Sequence, residues 1–332
     1  MDSDPGPSRR GTSWYEPASL DHDPFTHSAV FYRDEPEYLA HTVPFILDGQ
    51  AAGEPVAVAV PGPNLRAIQD EVGIRGGRVD EVRWLDMTKA GRNPGRIIPG
   101  VLRAFADQHT DRRARIIGEP IWPGRSSSEY PACVQHEALI NAAFLGREVT
   151  ILCPYDAQGL DPVVLADAAA THPIMVDGDR WWRSRDYAPE QVVDAYNTPL
   201  TEPASAQEHA VAADQLPLIR RWARQRAAQA GVETDRLDDV TFVVNELVTN
   251  SIEHGTGNPR VLAWTTKDAV VFQTTNAGTI PDPLVGRLPA TPGQIRGRGL
   301  LATNLLTDLV RIHRSDDRTT IRVHFHRAGH PR

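Results

Sequence analysis

The chain is poor in cysteine and has no long apolar run. Its two cysteines, Cys133 and Cys153, lack C-x-x-C spacing. No run approaches the ~20 apolar residues that cross a bilayer, and the opening stretch MDSDPGPSRRGTSWYEP lacks the apolar core of a secretory signal. We therefore expect a cytoplasmic protein without a membrane partner, in which the cysteines form no disulfide and act as small buried hydrophobic residues.

A basic excess is also missing. The 35 Lys and Arg residues are outnumbered by 43 Asp and Glu residues, for a formal charge of -8, whereas nucleic-acid-binding domains normally carry a basic excess. No helix-turn-helix pattern is evident, and the first half has neither G-x-x-x-x-G-K-S/T nor G-x-G-x-x-G after a strand. We expect no direct contact with nucleic acid, which disfavours a direct transcription regulator, and no phosphate chemistry in the first half.

Length and composition predict two domains. A chain of 332 residues exceeds one ordinary domain of roughly 100–200 residues. Pro, Gly, Ser and Asp are frequent over residues 1–22, which we predict to be a flexible tail, and NTPLTEPASAQEH has the composition of a linker. The remaining predicted parts are a first domain at 23–190, a linker at 191–204 and a second domain at 205–329.

The two domains differ in the order of their patterns. In the first, β-branched runs such as VAVAV and VTILCPYD alternate with segments of helical spacing, which predicts an α/β domain with a mostly parallel sheet covered on both faces. The second begins with helical patterns and continues with RVLAWTT and AVVFQTT, joined by a short link as in a hairpin. A helix at 299–309 and two strands follow. That order predicts a two-layer α+β domain.

The stretch NELVTNSIEHGTG at 245–257 combines an apolar stripe with polar side chains. Glu246, Asn250, Glu253 and His254 recur at three- and four-residue spacing, so they share a helix face that the apolar stripe does not occupy. A solvated helix face explains this pattern as well as a binding site does. The stretch alone leaves both interpretations open.

The order of the motifs around this helix is more informative. The E-x-x-x-N helix is followed by a strand pair, NAGTIPDP at 276–283, GRGL at 297–300, a helix and a strand that opens with two threonines. This order resembles the GHKL (Bergerat) ATP-binding fold and, within it, the anti-sigma-factor serine kinases. ELVTNSIEHG is similar to the N-box of that branch, and RGRGLLATNLLTDLV is similar to its last glycine box. The resemblance covers about residues 205–326 and implies a Bergerat two-layer sandwich.

The resemblance implies a site for Mg-ATP. Asn250 would hold Mg²⁺ through its side-chain carbonyl oxygen, and Glu246 would be the base or water-orienting group near the γ-phosphate. Gly297 and Gly299 would let backbone N–H groups approach the phosphates at a helix start. The other nucleotide contacts implied by the resemblance are His254, Asn276, Gly278, Arg298, Leu300 and Thr319.

The adenine-reading motif departs from the family pattern. The family has D-x-G-x-G, in which the Asp accepts a hydrogen bond from the adenine amino group, whereas this chain has Asn276-Ala277-Gly278-Thr279-Ile280. An Asn carbonyl still accepts, but charge assistance worth about 1 kcal/mol or more is lost. We expect ATP affinity to be weakened roughly tenfold or more. An active kinase and a nucleotide-impaired binding domain therefore both remain open.

The first domain resembles the MEDS sensory domain, a degenerate relative of RecA-like domains. The similar stretches are HSAVFYRDEPEYL, VAVAVPGPN, RIIGEPIWPGR, EALINAAF and ILCPYD, over about residues 23–175. Ligands of open α/β sheets bind beyond the carboxyl ends of the strands. The residues predicted there are Asp34, Glu35, Asp86, Glu119, Cys153, Tyr155 and Asp156. For each of them a plain capping or turn role is the alternative.

The two resemblances together imply a signalling regulator. The MEDS-like domain would bind a small molecule and control an anti-sigma-factor domain, which would bind a sigma factor and use Mg-ATP to phosphorylate a STAS-type antagonist. The kinase family is commonly dimeric, so a homodimer is expected. The alternative is a nucleotide-impaired module that binds partners without catalysis.

Histidine offers two further interpretations, both disfavoured. A two-component histidine kinase needs a phospho-accepting His in a helical hairpin, and the helix predicted around His209 is short and solitary. A zinc site at His324, His326 and His330 lacks Cys or acidic partners at ligand spacing. We predict a solvent-facing edge strand for His324 and His326.

Overall fold

The computed structural model describes residues 23–210, 216–291, 293 and 297–329, without the side chains of 210, 254 and 256–258. The tail predicted at 1–22 lies outside the described residues. Two compact units form. One takes in the described residues up to Gly91 together with Val101–Asp194, and the other takes in Arg92–Gly100 together with the described residues from Ala195 onward. Each unit is described by itself below.

The first unit is a sheet with helices on both faces. Its strands are β1 (Thr26–Tyr32), β2 (Val56–Val60), β3 (Val82–Asp86), β4 (Ala114–Gly118), β5 (Val149–Asp156), β6 (Ile174–Asp177) and β7 (Arg180–Arg183). Its helices are α1 (Glu35–Ala51), α2 (Gly62–Ile74), α3 (Met87–Ala90), α4 (Arg103–Ala106), α5 (Tyr130–Phe144), α6 (Pro162–Thr171) and α7 (Pro189–Ala195).

The sheet of the first unit has the order β3-β2-β4-β5-β1-β6-β7. All its neighbours pair in parallel except β6 and β7, which form a hairpin. Every residue of β2 and β4 is buried, because helices cover both faces of a parallel sheet and leave no solvent side. The predicted α/β class with a mostly parallel sheet is confirmed.

The second unit is an antiparallel sheet with helices on one face. Its strands are β8 (Gln207–Ala210), β9 (Thr256–Thr265), β10 (Ala269–Ala277), β11 (Leu309–Arg314) and β12 (Arg318–His326), in the order β11-β12-β10-β9-β8. Its helices are α8 (Leu216–Ala230), α9 (Leu237–His254) and α10 (Gly299–Leu306). The hairpin of β9 and β10 is confirmed, as is the two-layer α+β class.

The core of the second unit follows from strand alternation. Val261 and Ala263 of β9 face the helices and join the apolar stripe of α9, whereas Leu262 and Trp264 point to the other face with Val271. Successive strand residues alternate between faces, so each sheet face has its own apolar set. Because the apolar stripe of α9 packs on the sheet, the helix face that carries Glu246 and Asn250 is the one left out of this core.

Three details of the second unit differ from expectation. The helix predicted at 299–309 ends at Leu306, because Leu309 and Val310 pair with β12 as strand residues. The edge-strand prediction for His324 and His326 is wrong, since β12 lies between β11 and β10, and burial lowers the pKa of His324 to about 3. His209 lies on strand β8 rather than in a helix, and its ring stacks on Trp222. His330 is outside the described residues.

A short segment from early in the sequence belongs to the second unit. Asn93 is fully buried; its amide donates to the Asn304 carbonyl at 2.8 Å and to Thr307 Oγ1 at 3.2 Å. Its Oδ1 accepts from the Val310 amide at 3.3 Å, so one side chain ties the end of α10 to the start of β11. The neighbouring Arg92 forms an ion pair with Asp308. The composition-based domain boundaries did not include this segment.

In the part of the chain that the structure describes, every helix is too short or too polar to cross a bilayer.

Candidate functional site

A cavity of about 300 Å³ lies in the second unit where α9 and the start of α10 meet the ends of β10 and β12. Its lining residues are Asn250, Ser251, Asn276, Gly278, Thr279, Ile280, Pro281, Val285, Gly297, Gly299, Leu300, Thr319 and Ile321. Seven residues predicted to contact the nucleotide are in this set: Asn250, Asn276, Gly278, Gly297, Gly299, Leu300 and Thr319.

Helix α9 brings the predicted metal and base residues to the start of α10. Glu246 and Asn250 lie one helical turn apart and are half-buried. A Cβ added to Gly299 would lie 2.6 Å from Glu246 Oε2 and 3.3 Å from Asn250 Nδ2. A side chain at 299 would therefore displace the Glu246 carboxylate, and the backbone of α10 begins directly against these two side chains.

The start of α10 is suited to an anion. The first N–H groups of a helix have no partner within the helix, and the helix dipole favours negative charge there. Gly297 has a φ of 77°, which favours glycine, and Leu300 is buried. Arg298, the residue before the helix, is exposed. The predicted phosphate-binding glycines are thus at a helix start.

Asn276 is held by contacts within the chain. Its Oδ1 lies 3.3 Å from the Ser251 hydroxyl, and its Nδ2 donates to the Ala277 carbonyl at 3.2 Å. It pairs across the sheet with Thr319, whose hydroxyl donates to the Gly278 carbonyl at 2.8 Å. Asn276 therefore sits at the cavity wall with both polar groups of its side chain engaged.

The apolar residues of the cavity wall and Ser251 were not predicted from the sequence. Ile280, Pro281, Val285 and Ile321 contribute apolar surface to the cavity, and the IPDP letters after the adenine motif were the available signal. Ser251 sits in the apolar stripe of α9, where its single hydroxyl hydrogen is shared between the Leu247 carbonyl at 2.8 Å and Asn276 Oδ1 at 3.3 Å. The side chain of His254, at the end of α9, is not among those described.

The cavity residues fit Mg-ATP. Apolar side chains on one part of the wall suit a flat base, and the Asn250 amide oxygen suits a hard cation. Because Gly299 has no side chain, the backbone at the start of α10 lies close to Glu246 and Asn250. The volume lies at the lower end of the roughly 300–1,000 Å³ of small-molecule sites.

A two-layer sandwich whose cavity has apolar and polar walls beside a helix start is an architecture that suits a nucleotide. Two family models match the chain: "MEDS: MEthanogen/methylotroph, DcmR Sensory domain" over residues 26–173 and "Histidine kinase-like ATPase domain" over residues 210–325. The chain is therefore a MEDS domain joined to a histidine kinase-like ATPase domain of the GHKL type. No curated protein matches it. The pairing indicates a signalling protein, and the second domain implies ATP as its ligand.

The predicted ligand residues of the MEDS domain have different roles. Asp34, Asp86 and Asp156 each accept a backbone N–H two or three residues further on, so they cap helices or a turn. Glu119, in contrast, is a buried carboxyl at the end of β4. Its pKa is raised to about 7, because burial disfavours the charged form.

Three side chains surround the Glu119 carboxyl. Asn64 donates to it at 2.9 Å, the Tyr38 hydroxyl at 3.0 Å and the Tyr32 hydroxyl at 3.3 Å. Tyr155 and Cys153, at the end of β5, are buried. Of the residues predicted at the strand ends, Glu119 is a buried carboxyl that accepts hydrogen bonds from three side chains.

Replacing Asn276 by aspartate is expected to strengthen Mg-ATP binding about tenfold, since a charged acceptor gains roughly 1 kcal/mol or more over a neutral one. Titration calorimetry of the full chain measures the change. Asn245→Asp adds the same charge on α9 at a residue that does not line the cavity and should leave affinity nearly unchanged. Equal affinities for Asn276→Asp and the parent chain would mean that residue 276 does not meet the adenine amino group.

Proposed function

We propose that the chain is a signalling regulator in which the MEDS domain controls an anti-sigma-factor serine/threonine kinase domain. That domain binds a sigma factor and uses Mg-ATP to phosphorylate a STAS-type antagonist. The observation that carries the proposal is the close approach of Glu246, Asn250 and Gly299 at the start of α10. A carboxylate, an amide oxygen and free helix N–H groups at one point are what phosphoryl transfer requires.

Each of these groups has a defined task in the proposed reaction. ATP supplies the phosphoryl group. Asn250 holds Mg²⁺ through its side-chain oxygen, and the backbone at Gly299 binds phosphate oxygens. Glu246 accepts the proton of the attacking Ser or Thr hydroxyl. The phosphate ester forms on the antagonist, and ADP leaves.

The assignment of partners is supported by the sequence of α9 and by the domain order. ELVTNSIEHG is similar to the N-box of anti-sigma-factor kinases, and a MEDS domain precedes the ATPase-like domain. We propose that a sigma factor and a STAS-type protein are the partners, that the chain is a homodimer, and that it works in the cytoplasm, where sigma factors meet RNA polymerase. The ligand of the MEDS domain is a small molecule bound beside Glu119.

A second candidate function is a partner-binding module without catalysis. The observation favouring it is that both polar groups of the Asn276 side chain already have partners within the chain. Adenine would meet a neutral acceptor that already accepts from Ser251, without gaining a charged one, which weakens binding. In this case the fold and the partner surface persist while ATP turnover is lost.

Phosphorylation can be tested with an extract of the source organism. The full chain, with Mg-ATP, should place phosphate on Ser or Thr of a STAS-domain protein, detected by phosphopeptide mass spectrometry. Glu246→Gln keeps the shape of the side chain and removes its basicity, so it should abolish this product while ATP still binds. Phosphohistidine on the chain itself would indicate a histidine kinase instead. Bound ATP without any phosphorylated protein would favour the partner-binding module.

A further inference from the structure

Four side chains with metal-binding atoms meet inside the MEDS domain. They come from four places in the fold: His27 from β1, Glu137 from α5, Cys153 from β5 and His172 from the residue after α6. Each is at most 1% exposed. One ligand atom from each lies within 4.8 Å of all the others.

Four of the six separations among these atoms match those of a tetrahedral metal site. Glu137 Oε2 lies 3.3 Å from both His27 Nε2 and His172 Nε2. Cys153 Sγ lies 3.4 Å from His27 Nε2 and 3.7 Å from Glu137 Oε2. Zinc bonds of about 2.0–2.3 Å in a tetrahedron place the ligand atoms roughly 3.3–3.8 Å apart. The other two separations, from His172 to His27 and to Cys153, are at most 4.8 Å, so a single ion would reach all four ligand atoms after small side-chain adjustments.

Hydrogen bonds to the other ring nitrogen orient the His27 imidazole. His27 Nδ1 lies 3.2 Å from Asn141 Oδ1, and the Asn141 amide nitrogen donates to the carbonyls of Ala138 and Thr171. These donor contacts fix the Asn141 oxygen as the atom that faces the ring, so Nδ1 carries the hydrogen. The lone pair of Nε2 then points into the cluster, as in zinc-bound histidines.

His172 is held in the same way. Its Nδ1 lies 2.9 Å from the Ala168 carbonyl, which only accepts, so this nitrogen also carries a hydrogen. Its Nε2 lies 3.3 Å from Glu137 Oε2, and Glu137 Oε1 is buried without a hydrogen-bond partner among the described residues.

We propose that His27, Glu137, Cys153 and His172 bind one Zn²⁺ ion in a closed structural site. Two imidazoles, one thiolate and one carboxylate are a ligand set that zinc accepts, and four protein ligands leave no position for a substrate. A nucleophilic role for Cys153 beside His27 fits less well, because the cluster is sealed from solvent. The ion links β1, β5, α5 and the end of α6, so its binding energy becomes folding energy of the MEDS domain.

Metal analysis of the full chain, purified without chelators, tests the proposal. One zinc per chain is expected by elemental mass spectrometry, and Cys153→Ser should lose it. Cys133→Ser is the matched control, because Cys133 is an equally buried cysteine on α5 outside the cluster, and it should keep the zinc. Stoichiometric binding of a different transition metal under zinc-replete conditions would overturn the zinc assignment.

A spectroscopic measurement on the unmutated chain covers the case in which Cys153→Ser fails to fold. After removal of metal, addition of Co²⁺ should produce a thiolate-to-cobalt charge-transfer band together with the d–d bands of a tetrahedral ion, and Zn²⁺ should abolish both. A rise in melting temperature on addition of Zn²⁺ should accompany them. A folded chain that contains no transition metal and shows no thiolate band with Co²⁺ would overturn the site altogether.

Discussion

Replacing Asn250 by alanine is expected to abolish Mg-dependent ATP binding. The side chain lines the cavity beside the start of α10 and supplies the oxygen that we assign to Mg²⁺. Changes around metal ligands typically cost 10–100-fold in metal affinity, and removal of the ligand itself should cost about a hundredfold or more in ATP affinity. Titration calorimetry of the full chain with ATP and Mg²⁺ should show micromolar binding for the parent and no heat for Asn250→Ala.

The matched control is Asn245→Ala on the same helix. It removes the same amide at a residue that does not line the cavity, so Mg-ATP affinity should remain that of the parent chain. Retained binding by Asn250→Ala would refute the metal role of Asn250. A parent chain that binds no ATP at millimolar concentration would refute the kinase proposal and leave the partner-binding module, to be pursued by pull-down of its partners.

Replacing Asp308 by alanine is expected to destabilise the second unit by about 3–5 kcal/mol, the usual cost of leaving buried charges without their partner. Asp308 is 1% exposed. It forms an ion pair with Arg92, lies 3.4 Å from Arg236, and accepts from the His326 amide at 2.6 Å. The alanine leaves two guanidinium groups without this carboxylate. Native-state hydrogen exchange of peptides from α9 measures the free energy of unfolding of this unit.

Asp238 provides the comparison for this stability effect. It pairs with Arg224 on the surface of the same unit, and its side chain is 87% exposed. Exposed ion pairs contribute little to stability, so Asp238→Ala should leave exchange from α9 almost unchanged. A similar small effect of Asp308→Ala would show that water or a neighbouring group replaces the lost carboxylate.

Local hydrophobic periodicity was enough to predict most of the helices and strands and two of the polar residues near the cavity. Glu246 and Asn250 share a face because four residues make about one helical turn, which is visible in the letters alone. Their approach to Gly299 is not local, since some fifty residues lie between, and it was predicted only through the family resemblance. Ile280, Pro281 and Val285 lie in an irregular loop without periodicity, so no pattern placed them at the cavity.

The metal cluster of the MEDS domain was not predictable from spacing. His27 and His172 are separated by the whole domain and meet because β1 lies between β5 and β6 in the sheet. The sequence offered zinc at His324, His326 and His330, two of which alternate visibly on one strand, and Cys153 was predicted as a buried hydrophobic residue or as a ligand contact at a strand end. The order of the strands determines which of these residues meet and which are separated. That order depends on crossover connections that single-sequence patterns do not specify.

The unit that holds the cavity is discontinuous in sequence, and this bears on how the ATPase-like domain can be excised. Residues 92–100 fall inside the range matched by the MEDS model but pack with the second unit. A truncated chain that begins at Ala195 keeps the whole range matched by the ATPase model and loses Asn93. The Asn304 carbonyl and the Val310 amide then lack their partner at the end of α10, the helix whose start forms the cavity. The folding unit that holds the cavity therefore includes residues 92–100 as well as the range from Ala195 onward.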